Sequence, residues 1–173
     1  MPNAVVMTGY GPPEVLKWAA VPPPEPGQGQ IRIKVKAAGI SPTDLALRAG
    51  YLKAFPLPPD AVLGFEAAGT VDAAGPDVTG TSAGDAVTAL LFSLGGYAEY
   101  AVASIWTGKP ESVSWSDAAA LPSSAEAAAW DPGRRDRRGW RARAGHHLVG
   151  PGRRRLRRHA VRAHARPCSR CPG

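Results

Sequence analysis

Residues 1–129 contain no cysteine. A fold built from them relies on neither disulfides nor thiolate-bound metal. No apolar run in the chain is long enough to cross a bilayer, so no membrane partner is expected. The opening MPNAVVMTGYGPPE has neither a basic start nor a long apolar centre. No secretory leader is expected, and a cytoplasmic location is the default. Basic residues are also scarce until late in the chain. Residues 1–129 hold 7 Lys+Arg against 12 Asp+Glu, a net charge of −5. Residues 130–173 reverse the balance with 14 Arg against 2 Asp, a net +12, and carry all four histidines and both cysteines. The overall +7 therefore describes neither part, and two stretches of different character meet near Trp130. A chain of 173 residues has room for one domain, or a domain and a fragment.

What is present is a series of short strand signals broken by glycine and proline. The clearest begins IRIKVK, with Ile31, Ile33 and Val35 on one face and Arg32, Lys34 and Lys36 on the other. Alternation of period two is the mark of a half-buried strand. Ser41-Pro42-Thr43-Asp44 follows as a turn able to cap a short helix over Leu45–Arg48. After the proline-rich loop Phe55–Pro59, a second apolar strand is expected over Val62–Glu66. Glu66 is a lone carboxylate in that run and is costly to bury without partners. Ala4–Thr8 and Val15–Ala20 read as an opening hairpin, and Ala86–Phe92 and Tyr97–Val102 as later strands. Ser116–Ala129 reads as a helix, with Ser116 or Asp117 as its cap. Many short strands of this kind predict a mainly β domain, a closed or partly closed barrel.

The stretch AAGISPTDLALRAG, followed by LGFEAAGTV, GDAV and GGYAEYAVA, resembles the catalytic domain of the medium-chain dehydrogenases/reductases. This superfamily includes zinc alcohol dehydrogenases and quinone oxidoreductases. The resemblance spans roughly residues 3–128 with its motifs in family order. It implies a GroES-like, partly open β-barrel over residues 1–128, ahead of a distinct basic, disordered tail over 129–173.

In zinc-dependent members a cysteine stands where Ser41 stands and a histidine where Phe65 stands. Serine is a poor neutral ligand and phenylalanine is none, while a catalytic zinc needs three protein ligands. The cysteine-rich lobe that should follow Val87 is also missing, since TALLFSLGGYAEY has no cysteine. No metal site is expected. The resemblance then points to the metal-free branch, NADPH quinone oxidoreductases and enoyl or alkenal reductases. Their chemistry is hydride transfer to a small quinone or conjugated carbonyl compound, with the protein positioning the partners and stabilising the developing oxyanion.

On that reading Ser41, Thr43 and Asp44 form the catalytic group beside the nicotinamide and ribose. Tyr51, Lys53 and Phe55 line the substrate loop, with Phe65 and Phe92 as further substrate contacts. Each residue also has a structural reading. Ser41 and Asp44 cap the helix, Arg48 ties it to a neighbouring loop, Glu66 satisfies buried backbone donors, Phe65 packs in the core, and Tyr51 is an exposed loop aromatic.

The family's nucleotide domain should come next, as an apolar strand, a GxGxxG-type turn and a helix. Residues 130–173 instead offer only Leu148, Val149, Leu156 and Val161 as large aliphatics, too few to offset the entropy of ordering. A shift of reading frame near Ala128–Trp130 accounts for this. With CGN arginine codons, moving one base forward lets Gly145–Gly150 encode Asp-Thr-Ile-Leu-Leu-Val. Gly152–His159 can then encode Gly-Ala-Gly-Gly-Ser-Val-Gly-Thr. No cofactor site is assigned to the tail as it stands, and the chain is expected to bind NADPH poorly and to be inactive alone. Two other readings apply to the tail. Fourteen arginines would bind nucleic acid non-specifically and salt-dependently. Cys168 and Cys171 with His146 and His147 have partial zinc-ligand spacing, but no second pair at defined spacing and no foldable core.

Overall fold

The computed structural model describes residues 1–130, with side chains through Glu126. The readings of the basic tail, including its disorder, the nucleic-acid arm, the Cys168–Cys171 pair and the shifted frame, lie outside the described residues.

Two antiparallel sheets make up the domain. The first has strand order β2-β1-β4, from Leu16–Ala20 (β2), Asn3–Met7 (β1) and Ala61–Val62 (β4). The second has order β7-β3-β5-β6-β8. Its strands are Tyr100–Ala103 (β7), Ile31–Ala38 (β3), Glu66–Ala74 (β5), Ala86–Leu90 (β6) and Ile105–Gly108 (β8). The sheets meet at one bridge, Ala4 with Ala98. They are not closed into a continuous ring, so the barrel is partly open. Three α-helices, Pro42–Ala49 (α1), Trp115–Ala120 (α2) and Pro122–Trp130 (α3), and a single 3-10 turn, Pro13–Val15, complete the described residues. No helix among the described residues is long and apolar enough to cross a membrane.

The alternation of β3 does what its pattern requires. Ile31 and Ile33 are fully buried against Ala67, Val71, Val87 and Leu91. Each such burial contributes about 2–3 kcal/mol. On the opposite face Arg32 bonds Asp72 at 2.7 Å and Glu25 at 3.0 Å. With Glu25 largely exposed, those pairs contribute little to stability. In β5 the small residues are needed on both faces. Ala67 packs into the barrel interior, whereas Ala68 packs against Ala118 and Ala119 of α2. A side chain at Gly69 would run into the Lys34 carbonyl.

Several expected boundaries move, each for a local reason. Val62–Glu66 is not one strand: β4 ends at Val62 and β5 begins at Glu66, in different sheets. The break falls at Gly64, whose φ of +102° lies outside the strand region. The helix expected over Leu45–Arg48 begins earlier, at Pro42, because proline suits the first helical position. The single helix expected from Ser116 is two, interrupted where Pro122 cannot donate a backbone hydrogen bond. Its cap is Ser114 rather than Ser116 or Asp117, with Ser114 Oγ accepting the Asp117 N–H at 3.1 Å. Residues 97–99 belong to the seam between sheets, so the strand expected from Tyr97 starts at Tyr100.

Candidate functional site

The site is built around the start of α1. Ser41 is the N-cap in extended geometry and its Oγ accepts the Asp44 N–H at 3.3 Å. Asp44 Oδ2 in turn accepts from Ser41 N–H and from Ser41 Oγ–H, both at 2.8 Å. This reciprocal capping box satisfies two of the helix's orphan donors. Asp44 then reaches across the fold, and its Oδ1 accepts the Gly64 N–H at 3.0 Å. Asp44 is buried, and its oxygens are met by these three donors, as a buried polar group requires.

The Gly64 peptide is held equally closely by the chain on its other side. Gly96 N–H donates to the Gly64 carbonyl at 3.1 Å. A Cβ at Gly64 would lie 2.7 Å from Gly96 Cα and 2.9 Å from Tyr97 Cδ1. Glycine is required here both by the positive φ and by this close approach.

Beside this junction lies a cleft of about 200 Å³. Pro13, Leu16, Ile40, Leu45 and Leu63 form its apolar walls, and Asp44, Arg48 and Tyr97 bring its polar groups. Arg48 is already engaged, its guanidinium donating to the Gly11 carbonyl while Gly11 N–H donates to the Arg48 carbonyl at 2.9 Å. It thus ties α1 to the turn ahead of β2. Tyr97 Oη is buried and has no hydrogen-bond partner among the described residues. Burial first, then the negative charge of Asp44 and the hydrogen-bonding pull of its nearby carboxylate, and last the charge of Glu66, push the Tyr97 phenol well above its ordinary range.

Glu66 stands outside the cleft. Its Oε2 accepts the Ser123 N–H in the first turn of α3, at 2.8 Å. Its Oε1 lies against Gly39 so closely that a side chain at Gly39 would overlap it. One carboxylate therefore holds α3 to the loop that leads into Ser41, in keeping with a role in satisfying buried backbone donors.

Of the residues singled out from sequence, Ser41, Thr43 and Asp44 gather at one helix N-terminus. Only Thr43 among them is exposed, since Ser41 Oγ and both Asp44 oxygens are used inside the capping box and at Gly64. Tyr51, Lys53 and Phe55 are exposed on the segment after α1, and none lines the cleft. Phe65 is half-buried against Met7, Leu47 and Leu63, which is core packing. Phe92 is 62% exposed and also outside the cleft. Sequence reasoning did not single out Tyr97, Gly64 or Leu63. The glycine pair before Tyr97 was the available signal, since it marks close backbone approach.

Among the described residues, no group of three or more His, Cys, Asp or Glu could hold a metal ion. Ser41 is committed to Asp44, and Phe65 packs against the core cluster of Met7, Leu47 and Leu63. Thr43 and Ile40 are exposed at the start of α1. No glycine-rich strand-to-helix turn for a pyrophosphate occurs among the described residues.

Residues 27–108 match the alcohol dehydrogenase GroES-like domain. The quinone oxidoreductase of Sus scrofa is 39% identical over 102 residues, covering 58% of this chain and 31% of the relative. A solved NAD-dependent alcohol dehydrogenase superposes with TM-score 0.64 at 35% identity, covering 69% of this chain and 43% of that one. A mycobacterial protein solved in complex with NADPH gives TM-score 0.64 at 33% identity, covering 73% and 40%. The chain spans between 29% and 38% of the length of the curated relatives it matches.

Proposed function

Through residues 27–108 the chain belongs to the alcohol dehydrogenase GroES-like family within the medium-chain dehydrogenases/reductases, and from that premise we propose a specific role. Residues 1–128 are the substrate half of a zinc-independent, NADPH-dependent oxidoreductase that reduces a quinone or an α,β-unsaturated carbonyl compound. The observation that carries the zinc-independent part is the chemistry at the two ligand positions. Ser41 Oγ both accepts from Asp44 N–H and donates to Asp44 Oδ2, leaving it unavailable to a cation. Phe65 packs with Leu47 and Leu63. A relative named as a quinone oxidoreductase and a neighbour solved with NADPH support the substrate and cofactor classes.

When bound, NADPH supplies the hydride. This chain's own residues orient the partners. Ser41 and Asp44 fix the start of α1, which sets Thr43 and Ile40 at the cofactor wall, and the cleft beside Leu45 and Leu63 excludes water from an apolar substrate. Residues 129–173 take the place of the nucleotide fold through a shifted reading frame, and the chain as it stands is inactive alone. The basic composition of that stretch supports this reading.

Two chains test it, the 173-residue protein and the product of the gene with its frame restored near codon 129. NADPH fluorescence titration should show tight binding only for the restored chain. That chain should oxidise NADPH with a quinone acceptor, unaffected by EDTA. Tight NADPH binding by the present chain, an inactive restored chain, or loss of turnover with EDTA would each overturn the proposal.

A further inference from the structure

We propose that Glu66 is a positioning residue, a strut that sets the cofactor wall at Ile40 and Thr43 relative to α3, the helix that leads into residues 131–173. This rests on the reading of the protein as the substrate half of a reductase and deepens it. In the frame-restored chain the same helix would lead into the nucleotide fold, so the strut would hold one half against the other.

Glu66 is 6% exposed, and among the described residues no basic side chain lies within ion-pair distance of it. A carboxylate taken that far from water is costly unless donors meet it. Its place in β5 does not call for one, since Glu66 pairs with Leu90 through the main chain, as almost any residue could. What the carboxylate adds is a contact at each end. Oε2 accepts the Ser123 N–H at 2.8 Å. Ser123 is the second residue of α3, where the N–H groups lack helical partners and the helix end favours negative charge. On the other side Oε1 lies against Gly39, and a Cβ built there would sit 2.7 Å from Glu66 Cγ and 2.8 Å from Cδ. The Glu66 carbonyl also accepts the Gly39 N–H at 3.1 Å. Main chain and side chain of one residue thus hold Gly39 together.

Ile40 follows directly and is 75% exposed. It stands between two fixed points, Gly39 on Glu66 and Ser41 on Asp44. The capping box secures only the helix side of this wall. Glu66 secures the other side and carries the connection on to α3. Hydride transfer makes such a connection matter, because a misplacement of about 1 Å can cost on the order of 10²-fold in rate.

The test uses Glu66→Ala, Glu66→Gln and Gly39→Ala, in the 173-residue protein and in the frame-restored chain. In the 173-residue protein, amide exchange at Gly39 and Ser123 should accelerate about tenfold in Glu66→Ala, with Ile33 in β3 unchanged. Gly39→Ala leaves Glu66 and Ser123 in the chain, but its methyl group displaces the carboxylate, so exchange at Ser123 should accelerate there too. Glu66→Gln keeps an acceptor oxygen and should restore most of the protection. In the frame-restored chain, Glu66→Ala and Gly39→Ala should lower kcat about tenfold while the quinone KM stays within about twofold, because alignment and not substrate binding is lost. Glu66→Gln should recover most of that kcat. Unchanged exchange at Ser123 in Gly39→Ala, an unchanged kcat in Glu66→Ala, or a rise in KM alone would overturn the proposal. If Gly39→Ala does not fold, the Glu66→Ala and Glu66→Gln pair decides by the same two measurements. Should exchange respond as expected while the frame-restored chain fails to oxidise NADPH, the oxidoreductase reading falls and the strut between Gly39 and α3 stands.

Discussion

Glu66 Oε2 and the Ser123 N–H, separated by 57 residues of sequence, meet at 2.8 Å. The same carboxylate abuts Gly39, so β5, α3 and the loop before Ser41 share one contact point. Glu66→Ala would leave the Ser123 donor without its partner and open a cavity. The expected loss is about 1–3 kcal/mol in urea unfolding. Glu66→Gln keeps an acceptor oxygen and should lose less than about 1 kcal/mol. Equal losses for the two variants would show that the charge of the carboxylate, not its volume or an acceptor oxygen alone, is what matters.

Asp44 serves both its own helix and a distant peptide. Asp44→Ala removes the capping box, worth about 1 kcal/mol, and strands the Gly64 donor at a further cost of about 1–3 kcal/mol. A combined loss of about 2–4 kcal/mol is expected from chemical denaturation. Amide exchange at Gly64 should accelerate in the variant more than at β3 positions such as Ile33. Unchanged exchange at Gly64 would contradict the bond.

Gly64→Ala should be among the most damaging single methyl additions in the domain. Its φ of +102° disfavours any side chain, and the added carbon would meet the Gly96 backbone at 2.7 Å. Backbone cannot swing aside as a flexible side chain does. A loss above about 2 kcal/mol, or failure to fold, is expected. Gly80→Ala is the control, since nothing lies within 4 Å of its added carbon although its φ is also positive, at +75°. A comparable loss at both sites would leave the close approach without a role.

Tyr97 makes a prediction in pH. A folded-state pKa raised above the unfolded value near 10 means that the folded protein retains the proton longer. The associated stability is complete below about pH 10 and is lost as pH rises above it. Native protein should therefore lose stability above pH 10 more steeply than Tyr97→Phe, in paired denaturant titrations. At neutral pH without ligand, Tyr97→Phe should be neutral or stabilising, because it removes an unpaired buried hydroxyl. Parallel pH profiles would refute the burial of the phenol.

The parts of this fold that were legible in the sequence are those governed by neighbours in the chain. The alternation of Ile31 and Ile33 with Arg32 and Lys34 specifies β3 by itself, and Ser41-Pro42-Thr43-Asp44 spells out a helix start. What escaped depends on contacts between distant residues. The apolar run from Val62 to Glu66 conceals the switch between sheets, because that switch is made by Asp44 and Gly96 gripping Gly64. The Ser114–Asp117 pairing has the same local form as the Ser41–Asp44 box, yet Ser116 competes with it in the sequence. Glu66 showed that it needed a donor without showing that the donor was Ser123. Tyr97 looked like an ordinary strand aromatic, and only burial of its oxygen sets it apart.

The seam between the sheets carries a last consequence. Val5 N–H to the Tyr97 carbonyl, Glu99 N–H to the Asn3 carbonyl and Asn3 N–H to the Glu99 carboxylate form a short zipper. Tyr97 is thus seated by the strand over residues 3–7. Clipping the first five residues by limited proteolysis would unseat it without touching a single wall of the cleft.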